Sequence, residues 1–488
     1  MATTTAQEFK QFIRGDWIDA ADGGTFEDRD PFTGETVAHV PSGGAEDAAR
    51  AIQAASAAFE AWSATPPAAR QSVFLKAADV LESRRDEVVS LLARETGCGL
   101  GFGMFQIEFV AGLLRQTAAL SYAPIGTVIP SDTGAFSMGL RRPVGVVGAI
   151  APWNAALILS ARSIAAPLAL GNTVVLKPSE WSPVVGGLIW GEILTEAGLP
   201  AGVLNVVTHA PGGARPIGDV LVSHPAVRRL NFTGSTTTGR KLAEAAGRNL
   251  KRILLELGGY NPLIVLADSD LEYAVDAAVF GSFLHQGQIC MSARRIVVER
   301  PLAHDFLQKL VAKTRTLKAG DPKEPDTIIG PLISEDALAT VKARVEDAVA
   351  KGAKVLAGGE ADGPCYTATV LTDVPEDAEF AQLETFGPVV GVEVADDAEQ
   401  AIARANATSY GLSSGILTSD PDRGLALAQK LDAGIVHVND QPVADEPQMP
   451  FGGVKDSGFG RFGGQAVVDE FTELRWITVQ RGSHPFPF

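Results

Sequence analysis

The 488-residue sequence predicts an α/β protein built from two doubly wound domains with a cleft between them. From residue 144 onward, short β-branched apolar runs alternate with helix-like segments. Strands that are apolar on both faces belong to parallel sheets covered by helices on either side. The alternation comes in two series, one before and one after Cys290. The length also exceeds what a single hydrophobic core organises, which favours two or three domains.

Taken in order, residues 45–63 and 68–94 read as amphipathic helices. In the second, Val73, Ala77, Val80 or Leu81, Val88 and Leu91 recur at helical spacing. The first strand series is 144–150 (VGVVGAI), 173–177 (TVVLK), 203–207 (VLNVV), 229–233 (RLNFT) and 252–257 (RILLEL). The second series has a strand at 295–299 (RIVVE), helices near 303–317 and 335–351, and strands at 387–394 (GPVVGVEV) and 434–438 (GIVHV). A glycine-rich turn at 452–464 leads into a short tail, and no repeat or low-complexity linker interrupts the chain. The most apolar stretch, 143–176, is broken by Pro152, Asn154, Arg162 and Pro167, so it reads as buried α/β core rather than a membrane span.

Charge and cysteine content exclude some functions. Lys+Arg 41 against Asp+Glu 58 gives a net charge of −17, the wrong sign for a nucleic-acid surface. Three cysteines, Cys98, Cys290 and Cys365, are too few for a disulfide framework and fit a reducing compartment. The opening MATTTAQEFKQF lacks the apolar region of a signal peptide, so a soluble cytoplasmic protein is expected.

Three motif matches fail on context. GFGRFG (458–463) satisfies G-x-G-x-x-G, but a polar turn precedes it and too little chain follows for a βαβ unit. GSTTTGRK (234–241) resembles a phosphate-binding loop without the Ser or Thr that should follow its lysine, although a strand ending in a glycine-rich helix start remains a good anion site. GLSSG (411–415) resembles a nucleophile elbow, yet a helix-like AIARANA leads in, ILTS leads out as a strand, and only His437 and His484 follow Ser413. HExxH and paired CxxC spacings are absent, so no metal site is expected.

Five other segments carry chemistry. HQGQIC (285–290) leaves Cys290 as a nucleophile or a small buried side chain, and LELGG (255–259) leaves Glu256 as a strand-end carboxylate or a general base raised by apolar walls. In PWN (152–154), Asn154 caps the next helix or donates its amide to an oxyanion. Lys177 and Glu180 of LKPSE (176–180), and Glu384 of LETFGPV (383–389), are solvated groups or ligands of nucleotide riboses.

Taken together, PWN, KPSE, FTGS (232–235), LELGG, GQIC, ETFGP and PFGGVKDSG (450–458) resemble the aldehyde dehydrogenase superfamily in order and spacing over nearly the whole chain. HQGQICMS and HVNDQPVADEPQMPFGG (437–453) resemble its branch acting on benzaldehyde, vanillin and salicylaldehyde. The resemblance implies that Cys290 attacks the aldehyde, that Asn154 and the Cys290 amide hold the oxyanion, and that Glu256 activates water to hydrolyse the thioester. For the cofactor it implies Lys177 and Glu180 on the adenosine ribose and Glu384 on the nicotinamide ribose. Trp153, Phe232, Gly234, Ser235, Gly239, Leu257 and Phe386 would complete that site, with the pyrophosphate near a helix N-terminus. Glu180 favours NAD over NADP, since a carboxylate accepts from a 2′-hydroxyl and repels a 2′-phosphate.

The same resemblance implies an NAD-binding domain (1–122 and 144–257), a catalytic domain (258–465) and an element (123–143 and 466–488) that joins subunits into a homodimer or homotetramer. Arg162, Ile289, Met291 and Phe451 are its substrate-contacting candidates. Arg162 follows Asn154 by two helical turns on roughly the same face; a salt bridge at an interface or surface is its other reading. His285, Cys98 and Cys365 are expected to be packing groups. Three departures stand out: Leu383 where a second acid often occurs, Tyr260 in place of lysine, and Ala155-Ala156 where Phe-Pro is frequent. The last should widen the tunnel near Asn154 for a bulky ring. A CoA-acylating or aliphatic enzyme and a non-catalytic scaffold of the same fold are the alternatives.

Overall fold

The computed structural model describes residues 6–483 and 485–488; residues 1–5 and His484 lie outside the described residues. The first strand series forms the core of an eight-stranded sheet. Five of its strands, Val146–Ile150, Thr173–Lys177, Leu204–Val206, Val227–Thr233 and Arg252–Glu256, run parallel. Their Val, Ile and Leu side chains are buried on both faces, which is why these runs are uniformly apolar. Val146–Ile150 lies between Thr173–Lys177 and Val227–Thr233, so the chain reverses its direction of travel across the sheet beside it. Ligands of such sheets bind outside the carboxyl ends of the strands at this reversal. Register brings those ends level: Ile150 pairs with Lys177 and Phe232, and Thr233 pairs with Glu256.

The second series forms a seven-stranded sheet whose strands include Asn261–Val265, Ala293–Glu299, Thr369–Thr372, Val389–Ala395, Ser413–Leu417 and Ile435–Val438, all parallel. Here the segments of interest precede their strands. Gly258-Gly259, Cys290, Glu384–Pro388 and Gly411 lie at the amino edge of this sheet. The cleft therefore joins the carboxyl edge of one sheet to the amino edge of the other. A third, antiparallel sheet pairs Gly126–Ile129, Phe136–Pro143 and Thr472–Val479, gathering the two segments expected to act in subunit association.

Several boundaries differ from the sequence reading. The helix expected over 68–94 is two, Pro67–Ser83 and Arg85–Thr96, broken where Arg84 leaves helical geometry at ψ 18°. Arg300–Thr314 begins before the expected 303 because Pro301 occupies the first turn, where its missing N–H costs nothing. Leu100–Leu120 carries no sequence-level assignment: it is apolar around most of its circumference and holds three glycines, so no stripe marks it. It packs against Pro67–Ser83 and Ala156–Ala169 and keeps one face in solvent. Gly458–Phe459 pairs with Leu255 and Glu256 in the first sheet, so the segment expected to belong to the second domain crosses back before residue 465.

Candidate active site

The segment before Cys290 is a strained turn. After the helix Leu271–Phe283, His285 and Gln286 adopt left-handed φ of 50° and 54°. Such conformations persist only where surroundings over-determine them. Gln286 Nε2 donates to Gly97 O (2.9 Å) and Pro331 O (3.0 Å), and Ile333 N donates to Gln288 Oε1 (3.1 Å). Fully buried Arg294 donates Nη1 to Gly387 O (2.8 Å) and Nη2 to Gly287 O, tying the turn to the loop after Glu384. Asn261 Nδ2 donates to Cys290 O (2.7 Å) and Ser292 O (2.9 Å), while its Oδ1 accepts from Ser413 N (3.0 Å).

Cys290 opens onto a cavity of about 600 Å³ lined also by Asn154, Ala155, Arg162, Ile289, Met291 and Phe451. Phe102, Phe105, Phe109 and Phe280 add aromatic wall. Asn154 Nδ2 donates one N–H to Gln288 O (3.0 Å), which fixes the amide and leaves its second N–H. Burial pushes the Cys290 thiol up to about 12, and the carboxyls of Glu384 and Glu256 act in the same direction against Arg162. The thiol is therefore neutral at rest and needs a base to become a nucleophile. Burial also raises Glu256 well above the usual carboxylate range, opposed by Arg162 and Arg461. Neither Glu256 oxygen has a hydrogen-bond partner, and the residue is not part of the cavity lining around Cys290.

The two glycines of LELGG are required by close approach. A Cβ on Gly258 would sit 2.4 Å from Glu384 Oε2, and one on Gly259 would sit 2.5 Å from Cys290 O. The pair admits a carboxylate and the nucleophile's peptide to the same narrow seam. Glu384 Oε1 accepts from Gly259 N (3.1 Å); burial lifts this carboxyl to about 7 against the pull of Arg294 and that amide.

The other expected cofactor residues gather on the carboxyl edge of the first sheet. Lys177 Nζ donates to Pro178 O (2.9 Å) and lies 2.6 Å from His209 Nε2; Glu180 Oε2 is 3.9 Å from the same nitrogen. Ser235 caps the helix Thr236–Arg248, its hydroxyl accepting from Thr238 N (3.3 Å), and the first amides of that helix favour an anion. Gly239 lies against Leu257, where a Cβ would be 2.4 Å from Cδ2, and Gly234 lies against the Phe232 ring. Trp153 meets Phe386 edge-on at 5.7 Å. Lys177 with a spare N–H, a helix N-terminus and the carboxylates of Glu180 and Glu384, which can accept from ribose hydroxyls, fit a dinucleotide.

All four substrate candidates line the Cys290 cavity. Arg162 is neither a surface nor a free group: it pairs with Asp445 and stacks at 4.2 Å over Phe451. His285 is buried against Phe102 and lines this same cavity, whereas Cys98 and Cys365 are buried and outside its lining. Ser413 begins the strand Ser413–Leu417 and donates its hydroxyl to Pro442 O (2.7 Å), which agrees with setting aside a hydrolase elbow. Tyr260 is buried under Arg295 and against Phe380 and is not part of the cavity lining. Sequence reasoning passed over Asn261, Arg294, His209 and Asp445. Asn261 and Arg294 lie two residues past motifs that were recognised and Asp445 lies inside one, whereas His209 carries no local signal. Among the described residues, no three metal-ligating side chains gather into a site, and no helix is long and apolar enough to cross a membrane.

The profile of the aldehyde dehydrogenase family matches residues 17–477. A vanillin dehydrogenase of Pseudomonas fluorescens is 48% identical over 476 residues, covering 97% of this chain and 98% of that enzyme. A benzaldehyde dehydrogenase [NAD(+)] of Pseudomonas putida is 42% identical, with 98% of each chain covered. A crystal structure of a salicylaldehyde dehydrogenase from Pseudomonas putida G7, complexed with salicylaldehyde, superposes with a TM-score of 0.96 at 43% identity, covering 99% of this chain and 100% of that one. On this fold, motif order and extent of identity, the chain belongs to the aldehyde dehydrogenase family.

Proposed function

We propose that this protein oxidises aromatic aldehydes to carboxylates with NAD, through a thioester on Cys290. The observation that carries the reading is the cavity itself, in which one cysteine and one fixed amide open onto a wall of phenylalanines. Similarity to enzymes named for vanillin, salicylaldehyde and benzaldehyde supports the substrate class.

Cys290 Sγ gives up its proton, by way of the Glu256 carboxylate, to solvent and adds to the aldehyde carbon, giving a thiohemiacetal whose oxyanion the free Asn154 N–H and the Cys290 amide stabilise. Bound NAD supplies the hydride acceptor for that adduct. Glu256, raised by burial, accepts a proton at its carboxylate from the hydrolytic water, which attacks the thioester and releases the carboxylate product. The charge of Glu256 already acts on the Cys290 thiol, although the residue is not part of the cavity lining. Lys177 and Glu180 would grip the adenosine ribose, Glu384 the nicotinamide ribose, and the helix after Ser235 the pyrophosphate. One face of the third sheet, with Ile129, Leu474 and Trp476 exposed, supports a homo-oligomer joined there.

Steady-state kinetics over aromatic and aliphatic aldehydes with NAD and NADP test the reading, with products analysed with and without CoA. Benzaldehydes should lead in kcat/KM, NAD should exceed NADP, and the free acid should form without CoA. A wide lead for short aliphatic aldehydes would refute the substrate class. Turnover retained in Cys290→Ala would refute the mechanism.

A further inference from the structure

His209 stands just past the strand Leu204–Val206, on the same edge as Lys177. The side chain is buried, and both ring nitrogens have partners. Nδ1 lies 2.9 Å from Ala210 O, and a carbonyl can only accept, so Nδ1 carries the proton. Nε2, 2.6 Å from Lys177 Nζ, is then a bare lone pair facing an ammonium group. One tautomer satisfies both contacts. A doubly protonated ring would set two cations against each other, and burial together with Lys177 holds the imidazole down at about 4. The charged group facing the pair is Glu180, 3.9 Å from Nε2.

The geometry points to His209 as a positioning residue for the nucleotide: its neutral imidazole accepts from Lys177 and thereby aims the remaining ammonium N–H at the adenosine ribose. This rests on the assignment of Lys177 and Glu180 to that ribose. Of the three ammonium protons, Pro178 O takes one and His209 takes one, so the third has a fixed direction. The imidazole also stabilises the charged form of a lysine that burial brings down to about 8. Without it, Lys177 should lose its proton at lower pH.

Calorimetric titration with NAD and with AMP, from about pH 6 to 9.5, tests this on wild type, His209→Leu, His209→Asn, His209→Gln and Lys177→Met. An asparagine stays polar but falls short of Nζ, so it gives the same readout should the leucine variant fail to fold. Glutamine can place its amide oxygen near the position of Nε2. Losing a hydrogen bond to a charged group should weaken both ligands roughly tenfold in His209→Leu and His209→Asn. Their alkaline limb of binding should shift below that of wild type, KM for NAD should rise more than kcat falls, and His209→Gln should recover affinity. Wild-type affinity and limb in the leucine or asparagine variant, with loss in Lys177→Met, would overturn the role of His209. A loss that glutamine does not rescue and that leaves the limb in place would reduce it to packing, and overturn the inference equally. Wild-type binding in Lys177→Met would instead refute the ribose assignment.

Discussion

Replacing Gly259 by alanine would place a Cβ 2.5 Å from Cys290 O and 2.6 Å from Asn261 Oδ1. The backbone at Gly259 is not left-handed, so the cost is steric rather than conformational. A carbon and a carbonyl oxygen need about 3.3 Å, so the Cys290 peptide must retreat by about 0.8 Å. Neither obstacle is a flexible tip: one is backbone, and the other is an amide pinned by Cys290 O, Ser292 O and Ser413 N. Overpacking of this kind costs about 1–3 kcal/mol of stability. Misplacing a reacting group by 1 Å can cost roughly 10²-fold, so kcat should fall about 30- to 100-fold. The assay is NAD reduction at saturating benzaldehyde, with NAD affinity by titration as the control for an intact cofactor site. A Gly259→Ala enzyme with kcat within about twofold of wild type would refute the claim that this close approach sets the nucleophile's position.

The neighbouring Gly258→Ala should behave differently, because its Cβ meets the tip of Glu384 at 2.4 Å: KM for NAD should rise while kcat falls less. Binding of NAD should be tightest between about pH 7 and 8. As pH falls through about 7, Glu384 gains a proton and becomes a weaker, uncharged acceptor for a ribose, and above about 8 Lys177 loses its charge and becomes a weaker donor; a flat profile of Kd across that span would refute both assignments. Arg162→Met should cost about 3 kcal/mol in chemical denaturation by stranding the buried Asp445 carboxylate, and Arg162→Met with Asp445→Leu should recover much of it. Equal losses in the single and double variants would show that stacking on Phe451 matters more than the ion pair.

Motif order alone identified the family, because each motif is a short segment whose backbone must approach a ligand or a reacting atom. Such needs are local and leave glycines, an amide or a carboxylate at set offsets. The parallel strands were equally legible: burial on both faces writes itself as an unbroken apolar run, as in TVVLK at Thr173–Lys177. Helix Leu100–Leu120 was not, since its exposed face carries Gly101, Phe105 and Ala119 among Glu108, Arg115 and Gln116, so polar residues do not mark its period. Tertiary structure alone decided how the motifs meet. It set Gly259 against the Cys290 carbonyl, paired Arg162 with Asp445 across 283 residues of chain, and put His209 against Lys177. These contacts depend on which strands lie side by side and on which edges of two sheets face each other. A side chain such as His209 takes its meaning from the surroundings that bury it, and nothing in its neighbours along the chain records what those surroundings are.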